Sequence, residues 1–173
     1  MPLTFAQINH PQIGSLSFYA GDLGLCGVVF TDLTKLKQNM QLTSDPPSLN
    51  GFETLSTLLA QMNEYLDGVC QNFTIDIDWH VVRGFQRQVL KVVSEIPYGQ
   101  VLSYAEIAKK LGKPGAVRAI GSVLARNPMP IVIPCHRVIR SDRTISGYLG
   151  GEDVKAYFLE LEGHIIKNNR VVA

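Results

Sequence analysis

Pro134-Cys135-His136-Arg137-Val138 sets a thiol beside an imidazole at the end of an apolar run, Ile131-Val132-Ile133, that would ordinarily hide both. A cysteine acts as a nucleophile through its thiolate, and neighbouring histidine or basic side chains are the usual means of lowering its pKa. The competing reading is a small side chain that fills space, as free cysteines often do. A papain-type hydrolase fits poorly, because adjacent Cys and His side chains seldom meet in the geometry that chemistry needs.

The chain around this pair has 173 residues and is 46% hydrophobic, enough for one large domain or two small ones. No apolar run approaches the roughly 18–20 residues needed to cross a membrane. The start, Met1-Pro2-Leu3-Thr4-Phe5, lacks the charged and apolar regions of a signal peptide. Three widely spaced cysteines (Cys26, Cys70, Cys135) form no C-x-x-C pair, which argues for a reducing, intracellular setting rather than a disulfide framework. The net charge of +1 hides an asymmetry: residues 1–80 carry two basic against eight acidic side chains, and residues 81–173 carry 14 against 7. The split suggests two units, the second facing a polyanion.

Residues 1–80 read as a small mixed α/β domain. Strands are expected at Leu3–Ile8, Ile13–Tyr19 and Leu25–Phe30, separated by turn formers. A helix follows over Asp32–Leu42 with Leu33, Leu36 and Met40 on one face, then a loop at Ser44-Asp45-Pro46-Pro47-Ser48. Helical spacing of Leu55, Leu58, Leu59, Met62 and Leu66 predicts a helix from Thr54 to about Val69. Phe73, Ile75 and Ile77 alternate with polar residues as in a strand with one buried face.

Residues 81–173 read as mostly helical. One helix spans Phe85–Ile96 and stops at Pro97 and Gly99. Ser103-Tyr104-Ala105-Glu106 has the spacing of a capping box and opens a helix to Leu111, ended by Gly112. Another helix carries Val117, Ile120, Val123 and Leu124, with Arg118 and Arg126 assigned to it, and ends before Asn127-Pro128. Two short helices around a glycine-containing turn have the helix-turn-helix shape, in which the second helix meets DNA. A plain helix-turn-helix regulator would leave the thiol idle. A last helix is expected over Asp153–Glu162, stopped at Gly163.

With these pieces in place, the second half resembles the O6-alkylguanine-DNA alkyltransferases, also called methylated-DNA–protein-cysteine methyltransferases. The matching segments are Phe85-Gln86, Ile96-Pro97-Tyr98-Gly99, Ser103-Tyr104, Ile107-Ala108, Arg118-Ala119-Ile120-Gly121, Asn127-Pro128, Ile133 to Val138, Gly147-Tyr148-Leu149-Gly150-Gly151 and Glu162-Gly163. They run in the family's order and spacing over about 80 residues; the first half matches in general character only. The resemblance implies a ribonuclease-H-like α/β domain over 1–80. It implies a winged helix-turn-helix-like domain over 81–173 that both binds DNA and accepts the alkyl group.

It also implies roles. Cys135 takes the alkyl group from guanine O6 once and irreversibly, and His136 draws off the thiol proton through a water towards Glu162. Arg118 fills the gap left by an extruded base. Tyr104 presses on the flipped nucleotide near the departing O6, and Ser103, Ala119 and Arg126 accompany Arg118 and Tyr104 on the DNA. Asn127 supports the turn before the active-site loop. Pro130, Val138, Tyr148, Leu149 and Gly150 form the base pocket, with backbone carbonyls of Cys135 and Val138 offered to the guanine amino group. The implied partner is double-stranded DNA containing alkylated guanine, entered from the minor groove by a monomer; O4-alkylthymine and cooperative assembly along DNA stay open. A non-enzymatic module that binds alkylguanine and flags it for other repair is the alternative, disfavoured by the presence of Cys135. No cofactor is implied. Cys26, Cys70, His10 and His80 fit no compact zinc pattern, so no metal is predicted and both cysteines are expected in the core. The loop Arg140-Ser141-Asp142-Arg143-Thr144-Ile145-Ser146 replaces one where the family usually has glycines near Arg143 and Ser146, and Leu149 stands where serine or alanine is common, which implies a stiffer loop and a bulkier pocket rim.

Overall fold

A computed structural model describes residues 2–40 and 47–173. The chain divides into two compact units, Met1–Val81 and Val82–Ala173. Among the described residues, no helix is long and apolar enough to cross a membrane.

The first unit is an antiparallel meander with a helix laid on it. Strands β1 (Thr4–His10), β2 (Gly14–Gly21) and β3 (Gly24–Val29) pair in that order. Leu16, Phe18 and Ala20 alternate inward along β2 and are fully buried, the period-2 pattern of a strand with one face in the core. Gly24 permits the turn into β3: its φ is +120°, and a Cβ there would lie 2.4 Å from the Asp76 carbonyl oxygen. Helix α1 (Leu33–Asn39) is capped by Asp32, whose Oδ1 accepts from Lys35 N at 2.9 Å, and buries Leu36. The expected extension to Leu42 and the loop at Ser44–Pro46 lie outside the described residues.

Helix α2 (Leu49–Leu66) starts five residues earlier than its apolar spacing predicts. Ser48 is not loop but its N-cap, accepting from Gly51 N at 2.9 Å, so capping chemistry rather than the hydrophobic pattern sets the start. Leu55, Leu58, Met62 and Tyr65 bury against the sheet, each worth about 1.5–3 kcal/mol of transfer free energy.

Two expectations fail in this unit. Phe73–Ile77 forms no strand: a single bridge joins Ile77 to Leu25. Gln61 instead holds Thr74, accepting from its backbone N at 2.9 Å and donating to its Oγ1 at 2.6 Å, so a side chain takes the place of a ladder. Cys26 is buried as expected, but Cys70 is only half-buried. It follows the left-handed Gly68 (φ +74°) that takes the chain off α2, away from the apolar face.

The second unit begins with α3 (Gly84–Ser94), which buries Val89, Leu90 and Val93. Strand β4 (Leu102–Ser103) leads into α4 (Tyr104–Lys110) through a complete capping box: Ser103 Oγ accepts from Glu106 N, and Glu106 Oε2 accepts from Ser103 N at 2.7 Å. Helix α5 (Val117–Leu124) turns Ile120, Val123 and Leu124 inward and leaves Val117, Arg118, Ala119 and Ser122 outside. Arg126 does not belong to α5; it sits in the turn beyond it, and its Nε reaches back to Ser122 O at 3.2 Å. Strand β5 (Val138–Ile139) pairs in parallel with β4, which brings the start of α4 beside the Cys135 segment. Helix α6 (Glu152–Leu161) ends at Glu162 and a left-handed Gly163 (φ +93°). A hairpin absent from the sequence reading closes the chain, β6 (Ile166–Lys167) against β7 (Arg170–Val171). Its turn residues Asn168 and Asn169 have φ of +48° and +58°, conformations asparagine tolerates.

Candidate active site

Cys135, His136 and Arg137 form one 3-10 turn just before β5, and all three are buried. The loop that delivers them is tight: Ile131 has φ +75°, a conformation costly for a β-branched residue. Asn127 holds that loop from both sides, donating from Nδ2 to Ile133 O and accepting from Met129 N, each at 3.0 Å.

Cys135 is 4% exposed. Burial pushes its thiol up to about 11, against the opposing pull of a hydrogen bond from Asn127 and the charge of Lys155. The neighbouring basic groups therefore do not lower this pKa below its ordinary value, as the sequence suggests they would. Desolvation wins, and the resting group is a thiol.

His136 Nε2 lies 2.8 Å from Glu162 Oε1, and neither side chain touches water. A carboxylate only accepts, so Nε2 carries the hydrogen and Nδ1 is the basic nitrogen of the ring. Burial holds His136 below its ordinary pKa, with the Glu162 bond opposing it, so the ring rests neutral. Glu162 is itself held by Arg137, Nε to Oε2 at 2.9 Å and Nη2 to Oε1 at 2.9 Å. Gly99 N donates to its Oε2 at 3.2 Å. Burial alone would raise this carboxyl, but the bonds and charges of His136 and Arg137 outweigh it and hold it well below the usual carboxylate range. The last-turn acid of α6, unfavourable to the helix dipole, is thus an ionised anchor for an imidazole and a guanidinium.

Lys155 was not singled out by sequence reasoning. It lies fully buried on α6 among Val154, Phe158 and Leu159, and a lysine inside an apolar helical stripe is the signal that could have found it. Its Nζ donates to Val138 O at 2.6 Å and Ser146 O at 3.0 Å. Burial lowers it to about 8, with the charges of Cys135 and Glu152 opposing the shift. The Val138 carbonyl, expected to face substrate, already accepts this bond.

Tyr104 opens α4, half-buried, with its hydroxyl 3.5 Å from Ser146 O. Burial, then the nearby Cys135, raises its pKa. Tyr104 walls a cleft of about 440 Å³ together with Gly121, Leu124, Tyr148 and Leu149. It also walls a second cleft, of about 530 Å³, whose lining includes Val117, Arg140 and Ser146. Tyr148 stands edge-on to His136 at 6.4 Å between ring centroids. Pro130 is buried in the loop after Asn127, Gly150 is half-buried, and Leu149 is 43% exposed at the rim.

Arg118 and Ala119 are exposed on the outer side of α5, and Arg126 is exposed beyond its end. Ser103 is buried with its hydroxyl engaged by Glu106, so it serves the cap of α4. Among the described residues, no group of three or more His, Cys, Asp or Glu could hold a metal ion.

Chemically, a protonated thiol beside a neutral imidazole backed by a fixed carboxylate can lose its proton as the sulfur attacks an electrophilic carbon.

Residues 84–164 match the family described as 6-O-methylguanine DNA methyltransferase, DNA binding domain. The methylated-DNA–protein-cysteine methyltransferase of Methanothermobacter thermautotrophicus is 39% identical over 157 residues, covering 90% of this chain and 83% of the relative. The crystal structure of the Mycobacterium tuberculosis O6-methylguanine methyltransferase is 35% identical, with a TM-score of 0.76 over 92% of each chain. That of Mycobacterium tuberculosis OGT in complex with DNA is 34% identical, with a TM-score of 0.75 over 91% of each chain. Similarity of that extent runs well beyond the second unit, and the chain belongs to the methylated-DNA–protein-cysteine methyltransferase family.

Proposed function

We propose that this chain reverses O6-alkylguanine lesions in double-stranded DNA by moving the alkyl group onto Cys135. The sulfur forms a bond to the alkyl carbon as the carbon–O6 bond breaks. His136 takes the thiol proton while Glu162 steadies the ring's gain of charge, and the guanine leaves after taking up one proton. The thioether has no route back, so each chain reacts once. The observation that carries this reading is the His136–Glu162 contact at 2.8 Å, one residue from a buried thiol, in a chain of this family.

The buried thiol requires that the guanine leave the base stack. Helices α4 and α5 meet the minor groove as a helix-turn-helix, Arg118 takes the vacated space, and Tyr104 guides the flipped nucleotide. Tyr148, Leu149, Gly150, Pro130 and Val138 surround the base, and Asn127 keeps the Cys135 loop in register. The fold reading that goes with this is a ribonuclease-H-like first unit, from its meander and covering helix, and a winged helix-turn-helix second unit. One copy suffices, since donor face and acceptor thiol lie in the same unit.

Intact-protein mass after incubation with methylated duplex DNA tests the proposal. The expected result is one methyl group per chain, mapped to Cys135, and none on Cys135→Ala. An unmodified chain, or one that releases the group and continues, would overturn it.

A further inference from the structure

Loop 140–146 departs from simple turn chemistry. Arg143 takes φ +66°, where a side chain is disfavoured, yet the loop is well tied. Its ties run to the C-terminal hairpin. Val171 N donates to Arg143 O at 3.0 Å, and Arg143 Nε donates to Val171 O at 2.7 Å. Asn169 brackets the next buried residue: Ile145 N donates to Asn169 O, and Asn169 Nδ2 donates to Ile145 O, both at 2.9 Å. Ile145 in turn packs with Ile139, Leu159 and Val171 in one cluster.

The residue after Ile145 is Ser146, whose carbonyl meets both Lys155 Nζ at 3.0 Å and the Tyr104 hydroxyl at 3.5 Å. Tyr104, which walls the cleft, and Lys155, whose charge bears on Cys135, therefore share one backbone oxygen, and the peptide just before it, Ile145–Ser146, is the one Asn169 holds. A backbone shift at Ile145 would move the Ser146 carbonyl, and with it the resting places of Tyr104 and Lys155.

We infer that Asn169, at the tip of the C-terminal hairpin, is a positioning residue for alkyl transfer, acting through Ile145 and the Ser146 carbonyl on Tyr104 and Lys155. The inference rests on the reading of Cys135 as alkyl acceptor. Asparagine suits the place twice over: its backbone tolerates φ +58°, and its amide supplies the donor that the buried Ile145 carbonyl needs.

Single-turnover kinetics on methylated duplex DNA separate positioning from stability. The amplitude counts chains able to react, and the rate constant reports geometry in those chains. Asn169→Gly keeps the left-handed backbone and removes the side-chain bonds to Ile145 O at 2.9 Å and Glu152 Oε2 at 3.4 Å; Asn169→Asp keeps the shape, removes the donor and sets a carboxylate against both acceptors. Both are expected to retain the wild-type amplitude and half-saturating DNA concentration, with the maximal rate constant lowered about tenfold or more, as small misplacements of reacting groups do. A rate constant within twofold of wild type in both variants overturns the role, whether or not the amplitude falls. A wild-type chain that accepts no group overturns the function itself, and the positioning role with it.

Discussion

Arg137 grips Glu162 through two nearly equal bonds, Nε to Oε2 and Nη2 to Oε1 at 2.9 Å, with the carboxylate fully out of water. The guanidinium balances the carboxylate's charge, so His136 can lean on Glu162 without being forced into its charged form. The third guanidinium nitrogen, Arg137 Nη1, donates to Ile96 O at 2.6 Å, which pins the segment just after α3 to the same cluster.

Breaking a buried pair from one side leaves an uncompensated charge, which costs about 3–5 kcal/mol. Arg137→Ala and Glu162→Gln should each lose about that much stability in denaturant titrations. Acid dependence follows from the lowered carboxyl of Glu162. The unfolded chain takes up this proton near pH 4.5 while the folded chain stays ionised, so the stabilisation is complete above that pH and is lost as pH falls further. In Glu162→Gln this share of the acid sensitivity should vanish; an unchanged acid limb would show that other carboxylates dominate.

The rate of alkyl transfer should be flat near neutrality and fall on both sides. At low pH the loss comes from protonating His136, and because burial lowers its pKa the fall should begin below the ordinary histidine value of 6.5. At high pH it comes from Lys155, lowered to about 8, whose ammonium favours the thiolate of Cys135 until it loses its proton. Single-turnover rates from pH 5 to 10 read both limbs. A rate that climbs steadily with pH would mean that hydroxide, not His136, removes the thiol proton.

Lys155→Met keeps much of the buried volume and removes the charge, leaving the Val138 and Ser146 carbonyls without their shared donor. Transfer should slow about tenfold or more, a barrier increase near 1.4 kcal/mol, and the alkaline limb should disappear from the pH profile. A slower variant that keeps the limb would assign that titration to another group.

Local chemistry in this chain was legible and long-range chemistry was not. The Ser103–Glu106 box, the stop at Gly163 and the strand at β2 depend on residues within a few positions of one another. The Cys135-His136 motif and Glu162 were legible through family resemblance. What escaped depends on partners far apart in sequence. Arg137 finds Glu162 25 residues away, and Lys155 finds Val138 17 residues away. The alternation at Phe73–Ile77 misled because periodicity cannot tell whether a neighbouring strand edge extends far enough to pair. Asn168-Asn169 carried a hairpin signal in two residues, but nothing local said that the hairpin would hold the loop at Arg143.

Arg118 projects from the outer side of α5, clear of the buried cluster. A residue that fills the place of a flipped base matters only when there is a stack to fill, so Arg118→Ala should slow repair of duplex DNA far more than reaction with free O6-methylguanine. Removing this guanidinium also removes a phosphate-competent charge. The slope of log binding constant against log salt should become shallower by about one unit if Arg118 meets a phosphate, and stay nearly unchanged if it sits between bases. Measuring both substrates and the salt slope in one variant separates the two placements. Equal slowing on duplex and free base would exclude intercalation, since the free base offers no gap.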